Sequence, residues 1–110
     1  KWKGILVRNQ DGQVFDLWVE IDQRHQGLHA TVKVTERGPD GREFTHTSVS
    51  EIAVTDEQAI SFTGMFPTVP DREQVTIYLK GWSTYKHMWG SWYTCSPDDL
   101  GVWKLYRQRS

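Results

Sequence analysis

The run VTIYLKGW at residues 75–82 begins a C-terminal third that decides the fold. It is followed by STYKH (83–87), MWGSWYTC (88–95), SPDDLG (96–101) and VWKLYR (102–107). Four of the six tryptophans and all four tyrosines lie in this third. Aromatic and β-branched runs of this length, cut by glycine and proline, are typical of β-strands in a curved sheet. The pattern predicts strands here and leaves open whether the aromatic side chains fill a core or also face a ligand.

The N-terminal half alternates between apolar and polar residues. The runs QVFDLWVEID (13–22) and LHATVKVTE (28–36) both do so, and a period of two over this length indicates half-buried strands. Asp11-Gly12 and the GPDG run at 38–41 predict hairpin turns, because glycine accepts the positive φ that tight turns require.

Further runs complete the predicted strand set. Strands are predicted over 2–7, 13–22, 28–36, 42–48, 50–55 and 59–66, followed by three in the C-terminal third. We also predict a bend near Val49-Ser50, a bulge or tight corner at Gly64, a rigid loop over 67–71, and room for one helical turn over 83–88. Short connections favour a meander over a Greek-key sandwich. The fold class predicted for the single domain 1–110 is all-β, a small up-and-down antiparallel barrel of about eight strands, lipocalin-like in shape.

Composition argues against several classes of function. The chain of 110 residues has a net charge of −1, so it has no global basic field to attract DNA, RNA or membranes. Cys95 is the only cysteine, and the four histidines are scattered without the paired spacing of a metal site. No nucleophile–base pair stands out, so we predict that the protein is not an enzyme and has no metal or cofactor.

A ligand-binding role is the chemistry that the aromatic third favours. Tyr78, Lys80 and Trp82 alternate against Ile77 and Leu79, which gives the strand one mixed and one apolar face. Aromatic rings among cations can stack a flat base and neutralise phosphates, and the STYKH joint falls at a barrel mouth, where small barrels admit ligands. Whether the mixed face points inward or outward is open. The predicted ligand-binding residues are Tyr78, Lys80, Trp82, Tyr85, Lys86, Trp92, Tyr93 and Arg107.

The motifs WKG (2–4), WGSWYT (89–94) and GVWKLY (101–106), in a strand-rich body of this length, resemble one known family. It comprises the CD-NTase-associated two-transmembrane, β-strand-rich effectors of bacterial anti-phage cyclic-oligonucleotide signalling (CBASS). The resemblance implies an eight-stranded, STING-like cytoplasmic barrel that senses a cyclic dinucleotide, with two transmembrane helices upstream of residue 1. It also implies self-association of the full-length protein and disruption of the bacterial inner membrane. The chain does not begin with methionine, which fits a preceding segment.

Two other functions compete with this interpretation. Similar tryptophan–glycine motifs recur in lipocalin-like barrels, so a carrier of a small apolar ligand is an alternative, and it predicts an apolar cavity. A barrel with a filled core that acts through its surface is the other. The resemblance itself assigns no ligand residues, so the eight candidates rest on the alternation pattern alone.

Overall fold

A computed structural model describes residues 1–24, 27–67 and 74–109, and these ranges contain nine β-strands and no helix. The strands are β1 (Trp2–Arg8), β2 (Val14–Arg24), β3 (Gly27–Arg37), β4 (Glu43–Glu51), β5 (Ala53–Val54), β6 (Ala59–Met65), β7 (Thr76–Ser83), β8 (His87–Tyr93) and β9 (Leu100–Arg107). The all-β prediction is confirmed.

All nine strands belong to one antiparallel sheet with the order β4-β3-β2-β1-β9-β8-β7-β6-β5. Strands that follow one another along the chain pair, except β4 and β5, which lie at the two ends of the sheet order, and β1 also pairs with β9. This is the predicted meander, and it curls into a nearly closed barrel. The ninth strand is the two-residue β5, which Ile52 alone separates from β4.

Several local predictions change in the structure. The bend expected near Val49-Ser50 is not found there, since β4 runs without interruption to Glu51 and the strand breaks at Ile52. The helical turn predicted over 83–88 is wrong, because residues 84–86 form a tight hairpin connection that closes when Thr84 N donates to the His87 carbonyl at 2.8 Å. The sequence also predicts a turn over 23–27, of which residues 23–24 end β2 and residue 27 begins β3. Residues 25–26 of that turn and most of the predicted loop at 67–71 lie outside the described residues.

Gly64 does not form the predicted bulge, since the pairing of β6 with β7 runs without interruption from Ala59 to Met65. A Cβ atom at Gly64 would instead lie 3.0 Å from Val32 Cγ1 on β3. The glycine therefore lets β6 pack closely onto β3 across the barrel, which is a tertiary requirement rather than a local one.

The barrel closes where β4 meets β6. Ser50 Oγ accepts a hydrogen bond from Thr63 N at 2.9 Å and also contacts Thr63 Oγ1 at 3.1 Å. At this seam, a serine hydroxyl therefore takes the place of a backbone carbonyl as the hydrogen-bond acceptor. This substitution satisfies a backbone donor that the end of the sheet would otherwise leave unpaired.

Apolar side chains fill the interior. Phe66 contacts both Phe15 and Trp92, with ring centroids 4.9 Å and 5.4 Å apart, and Phe62 meets Trp103 edge-on at 5.4 Å. The largest fully buried side chains are Trp92, Trp103, Phe15, Phe66, Leu6, Leu17, Ile77, Leu79, Leu105, Val19, Val32 and Val34. Because the apolar face of each strand points inward, the mixed face of β7 points outward.

Two Gly-x-Trp motifs interlock at the centre of this core. In the pairing of β8 with β9, Trp92 lies opposite Gly101 and Trp103 lies opposite Gly90. The Trp92 indole N–H donates to the Val7 carbonyl at 3.0 Å, and the Trp103 indole N–H donates to the Ser91 carbonyl at 3.0 Å and the Lys80 carbonyl at 3.2 Å. Gly101 makes room for the Trp92 indole, because an added Cβ would lie 2.6 Å from Trp92 Nε1, whereas Gly90 makes room for the backbone of Lys80 and Gly81 on β7. Both indole N–H groups are satisfied although the rings are buried.

A charged cluster covers the barrel end that carries the turns after β1, β3 and β8. The Arg8 side chain is 13% exposed and its Nε lies 3.0 Å from Asp99 Oδ1. Its guanidinium stands 5.0 Å from the Phe66 ring centroid and 5.3 Å from that of Phe15. The cation therefore sits on the aromatic end of the core and is paired, as a largely buried charge must be.

We expect Arg8 and Asp99 to stabilise the fold as a coupled pair. In a double-mutant cycle of Arg8→Ala and Asp99→Ala, each single change removes the close pair of two largely buried charges, and Asp99→Ala leaves Arg8 only the longer contact with Asp11 at 3.8 Å. The cycle is therefore expected to give a coupling energy of about 1–3 kcal/mol. Urea unfolding of the four proteins measures it. The exposed Arg37–Glu43 pair is the matched control, expected to give less than about 1 kcal/mol. Equal coupling in the two cycles would contradict the assignment.

Candidate functional site

The eight predicted ligand-binding residues separate into three places in the barrel. One member is in the core, four line a trough on the outer surface, and three lie at the end of the barrel that holds the chain termini, here called the terminal end. The core residue is Trp92, the trough residues are Tyr78, Lys80, Trp82 and Tyr93, and the terminal-end residues are Tyr85, Lys86 and Arg107.

Trp92 is 1% exposed and points into the barrel, so it is a packing residue and does not reach a ligand on the surface. Its neighbour Tyr93 takes the opposite face of the same strand and is 40% exposed. The two aromatic residues were predicted together, but strand alternation forces them onto opposite sides of the sheet.

The outer trough runs along β6 between β5 and β7. It consists of two adjoining grooves of about 460 and 350 Å³ that share Ala53, Ser61 and Lys80. Trp82 borders the first groove, and Tyr78 and Tyr93 border the second. These two tyrosines stack with ring centroids 5.2 Å apart.

The charge of the trough is close to neutral. Among the described residues that line the two grooves, Lys80 is the one cation, with Nζ 5.3 Å from the Tyr93 ring centroid, and Glu51 lines the second groove. A ligand with two negative charges gains little from this balance, because each phosphate needs its own cation or set of donors. The trough suits a ligand that is planar or extended and nearly neutral.

The terminal groove lies between the β7–β8 connection and the end of β9 and has a volume of about 650 Å³. Its Arg107 guanidinium stands 4.5 Å from the ring centroid of Tyr85, and Arg107 N donates to the Lys86 carbonyl at 3.0 Å. The connection and the strand end are therefore fixed to one another. The described residues that line the groove are Tyr85, Lys86, Tyr106, Arg107, Gln108 and Arg109.

The terminal groove combines cations with aromatic rings. Lys86, Arg107 and Arg109 supply three positive charges, and none of the six described lining residues carries a carboxylate. Two tyrosine rings lie among these charges. A concave site of this size and composition fits a small anionic ligand that also presents flat ring systems.

Three residues of the terminal groove were missed in the sequence-based set: Tyr106, Gln108 and Arg109. The register places Tyr106 opposite His87, so the end of β9 lies beside the 84–86 connection. This adjacency follows from the β8–β9 hairpin. Pairing the two strands of this hairpin residue by residue, outward from the turn at 96–99, would have placed Tyr106 and the residues after it beside the 84–86 connection.

The other chemistry-bearing residues do not assemble into a site. No group of three or more His, Cys, Asp or Glu side chains in the described part of the chain is placed to hold a metal ion. His29 and His46 lie on opposite faces of the β3–β4 hairpin, and the His46 ring contacts Gln74 Nε2 at 3.0 Å. Cys95 is exposed.

Comparisons with protein-family models, curated proteins and solved structures found no match to this chain. The resemblance to the CBASS effectors therefore stays a prediction. Within residues 1–24, 27–67 and 74–109, no helix has the length and apolar character needed to cross a bilayer.

Proposed function

We propose that this barrel is a sensor domain that binds a cyclic dinucleotide in the terminal groove. The observation that carries the proposal is the convergence of three cations and two tyrosine rings on one groove without a carboxylate among its described lining residues. A cyclic dinucleotide has two phosphates and two flat bases, and the groove offers complementary groups for both.

The chemistry of the groove assigns separate roles to its residues. The Arg107 guanidinium lies over the Tyr85 ring, with Cζ 4.5 Å from its centroid, and its planar fork of N–H donors suits a phosphate. Lys86 and Arg109 supply point charge for the second phosphate. Tyr85 and Tyr106 would stack the bases, which every base permits because each has a π-face.

The first residue of the chain, Lys1, lies beside this groove. Gln108, which lines it, donates from its backbone N to the Lys1 carbonyl at 2.8 Å. The resemblance implies that transmembrane helices precede residue 1. A ligand in the groove would then contact the end of β9, which is hydrogen-bonded to Lys1, the residue that would follow those helices. We propose that the full-length protein is an anti-phage effector of the bacterial inner membrane, with its barrel in the cytoplasm, and that ligand binding makes it assemble and disrupt that membrane.

The packing of the core disfavours the carrier alternative. A carrier needs an apolar cavity, whereas indole and phenyl rings occupy the barrel axis, among them Trp92, Trp103 and Phe66. A filled barrel that acts through its surface is the second candidate function. It is favoured by the exposed apolar side chains on β2 and β9, including Val14 and Val102.

We expect Arg107→Gln to weaken cyclic-dinucleotide binding by about 10- to 150-fold, since a charge-assisted hydrogen bond contributes about 1.5–3 kcal/mol. Isothermal titration calorimetry at one fixed salt concentration, with a panel of cyclic dinucleotides, measures the affinity. Arg42→Gln is the matched control, because Arg42 is an exposed arginine in the β3–β4 turn at the opposite end. Its affinity is expected to equal that of the wild type.

Linear dinucleotides and ATP serve as comparison ligands and are expected to bind more weakly than one member of the cyclic panel. Thermal melting of both variants establishes that they fold. Absence of binding by every cyclic dinucleotide would reject the proposal. Equal loss of affinity in the two arginine variants would reject the terminal groove as the site.

A further inference from the structure

We propose that the outward face of β9, β1 and β2, here called the β1 face, is a self-complementary docking surface for a second copy of this chain. The β1 face consists of three cross-strand rows of side chains centred on β1. The rows are Val102–Val7–Val14, Lys104–Ile5–Asp16 and Tyr106–Lys3–Trp18.

The β1 face is unusually apolar for the outside of a barrel. Val14 is 53% exposed and Val102 is 52% exposed, and Val7 lies between them on β1. An open groove of about 440 Å³ runs along the β8 side of this row, where Trp89 and Tyr106 also line it. Single exposed apolar residues are normal, but a contiguous patch with aromatic borders marks an interaction surface.

Charge complementarity identifies the partner. Lys104 and Asp16 flank Ile5 on either side in the central row, and neither makes an ion pair with another residue in the described part of the chain. A two-fold axis parallel to β1 exchanges the two sides of the face. It therefore brings Lys104 of one copy opposite the partner's Asp16, and the reverse pair forms at the same time.

The same axis matches the remaining rows. Val102 meets the partner's Val14, and Tyr106 meets the partner's Trp18. Within one chain, Lys33 Nζ lies over the Trp18 ring, 4.6 Å from its centroid. An isologous interface requires every group to face a complementary group under one rotation, and the outer positions of all three rows meet that condition. A membrane surface would not require a carboxylate at the edge of the central row, so a second copy explains Asp16 better.

The association is expected to be weak and dependent on concentration. Lys3 lies on the axis and faces the partner's Lys3, which costs some affinity. Three strands and three rows span only about 10 by 14 Å between Cβ positions, well below the roughly 800 Å² per partner that a standard interface buries. Tyr106 belongs both to this face and to the lining of the terminal groove. The proposal is tested without ligand, so its failure would not bear on cyclic-dinucleotide binding.

Charge reversal tests the geometry. Sedimentation equilibrium of the 110-residue chain is measured for the wild type, Lys104→Glu, Asp16→Lys and the double variant. Each single reversal places two like-charged pairs in the interface, so we expect each to raise the dissociation constant at least about tenfold. The double variant restores both pairs in the opposite sense and is expected to return to within about threefold of the wild type.

Lys80→Glu is the matched control, because it reverses a lysine on the outer surface of β7, away from the β1 face. It is expected to leave self-association unchanged, and thermal melts show that all variants fold. A wild type that stays monomeric up to about 1 mM overturns the proposal. Single reversals without effect, or a double variant that shows the summed loss of the singles, overturn it as well.

Discussion

Gly101→Ala is expected to destabilise the fold by about 3 kcal/mol or more, at the upper end of the cost of overpacking a core. An added Cβ would overlap the Val7 carbonyl oxygen and lie 2.6 Å from Trp92 Nε1. Both neighbours are fixed, because they form the hydrogen bond that secures the Trp92 indole. In a domain near this size, such a loss lowers the melting temperature by about 12 °C or more.

Differential scanning calorimetry measures the change. Gly38→Ala is the matched control, since Gly38 lies in the β3–β4 turn, where the nearest atom to an added Cβ is the adjustable Asp40 carboxylate at 3.2 Å. We expect it to cost less than about 1 kcal/mol. Similar losses in the two alanine variants would contradict the interlocked Gly-x-Trp arrangement.

Trp92→Ala is expected to cost about 3–5 kcal/mol, the usual range for removing a large buried aromatic side chain. The variant loses the edge contact with Phe66, at 5.4 Å between ring centroids, and the hydrogen bond to Val7. The free energy of unfolding of a domain is typically about 5–15 kcal/mol, so the variant loses a large share of its stability. Urea unfolding followed by circular dichroism measures the loss.

Tyr93→Ala provides the matched control on the other face of β8. Tyr93 stacks on Tyr78 in the outer trough, and such a pair contributes about 1 kcal/mol. We therefore expect Tyr93→Ala to melt close to the wild type. A larger loss in Tyr93→Ala than in Trp92→Ala would show that the two residues had been assigned to the wrong faces.

The filled core explains why the candidate sites lie on the outside of this barrel. Tryptophan and phenylalanine rings bury large apolar areas and give a small domain most of its stability, but they occupy the axis where a wider barrel holds its ligand. Recognition is then left to grooves at the strand ends and to the outward face of the sheet. The terminal groove and the β1 face are two such surfaces.

The sequence by itself determined the strands and their turns. Alternation over 13–22 and 28–36 predicted β2 and β3 to within two residues at each boundary. Gly12 and Gly41 have the positive φ expected of hairpin turns, at 73° and 83°. These features are local, because side-chain period and glycine conformational freedom act within a few residues.

Only the tertiary structure decided which face is inside and which candidates meet. The sequence shows that Tyr78, Lys80 and Trp82 share a face, but closure of the sheet is what turns that face outward. It also cannot show that Arg109 joins Tyr85 and Lys86, because that depends on the register of β9 against β8. Period-two alternation shows which residues of a strand share a face. Which face points inward, and which distant residues come together, depends on how the sheet curls to bury its larger apolar side.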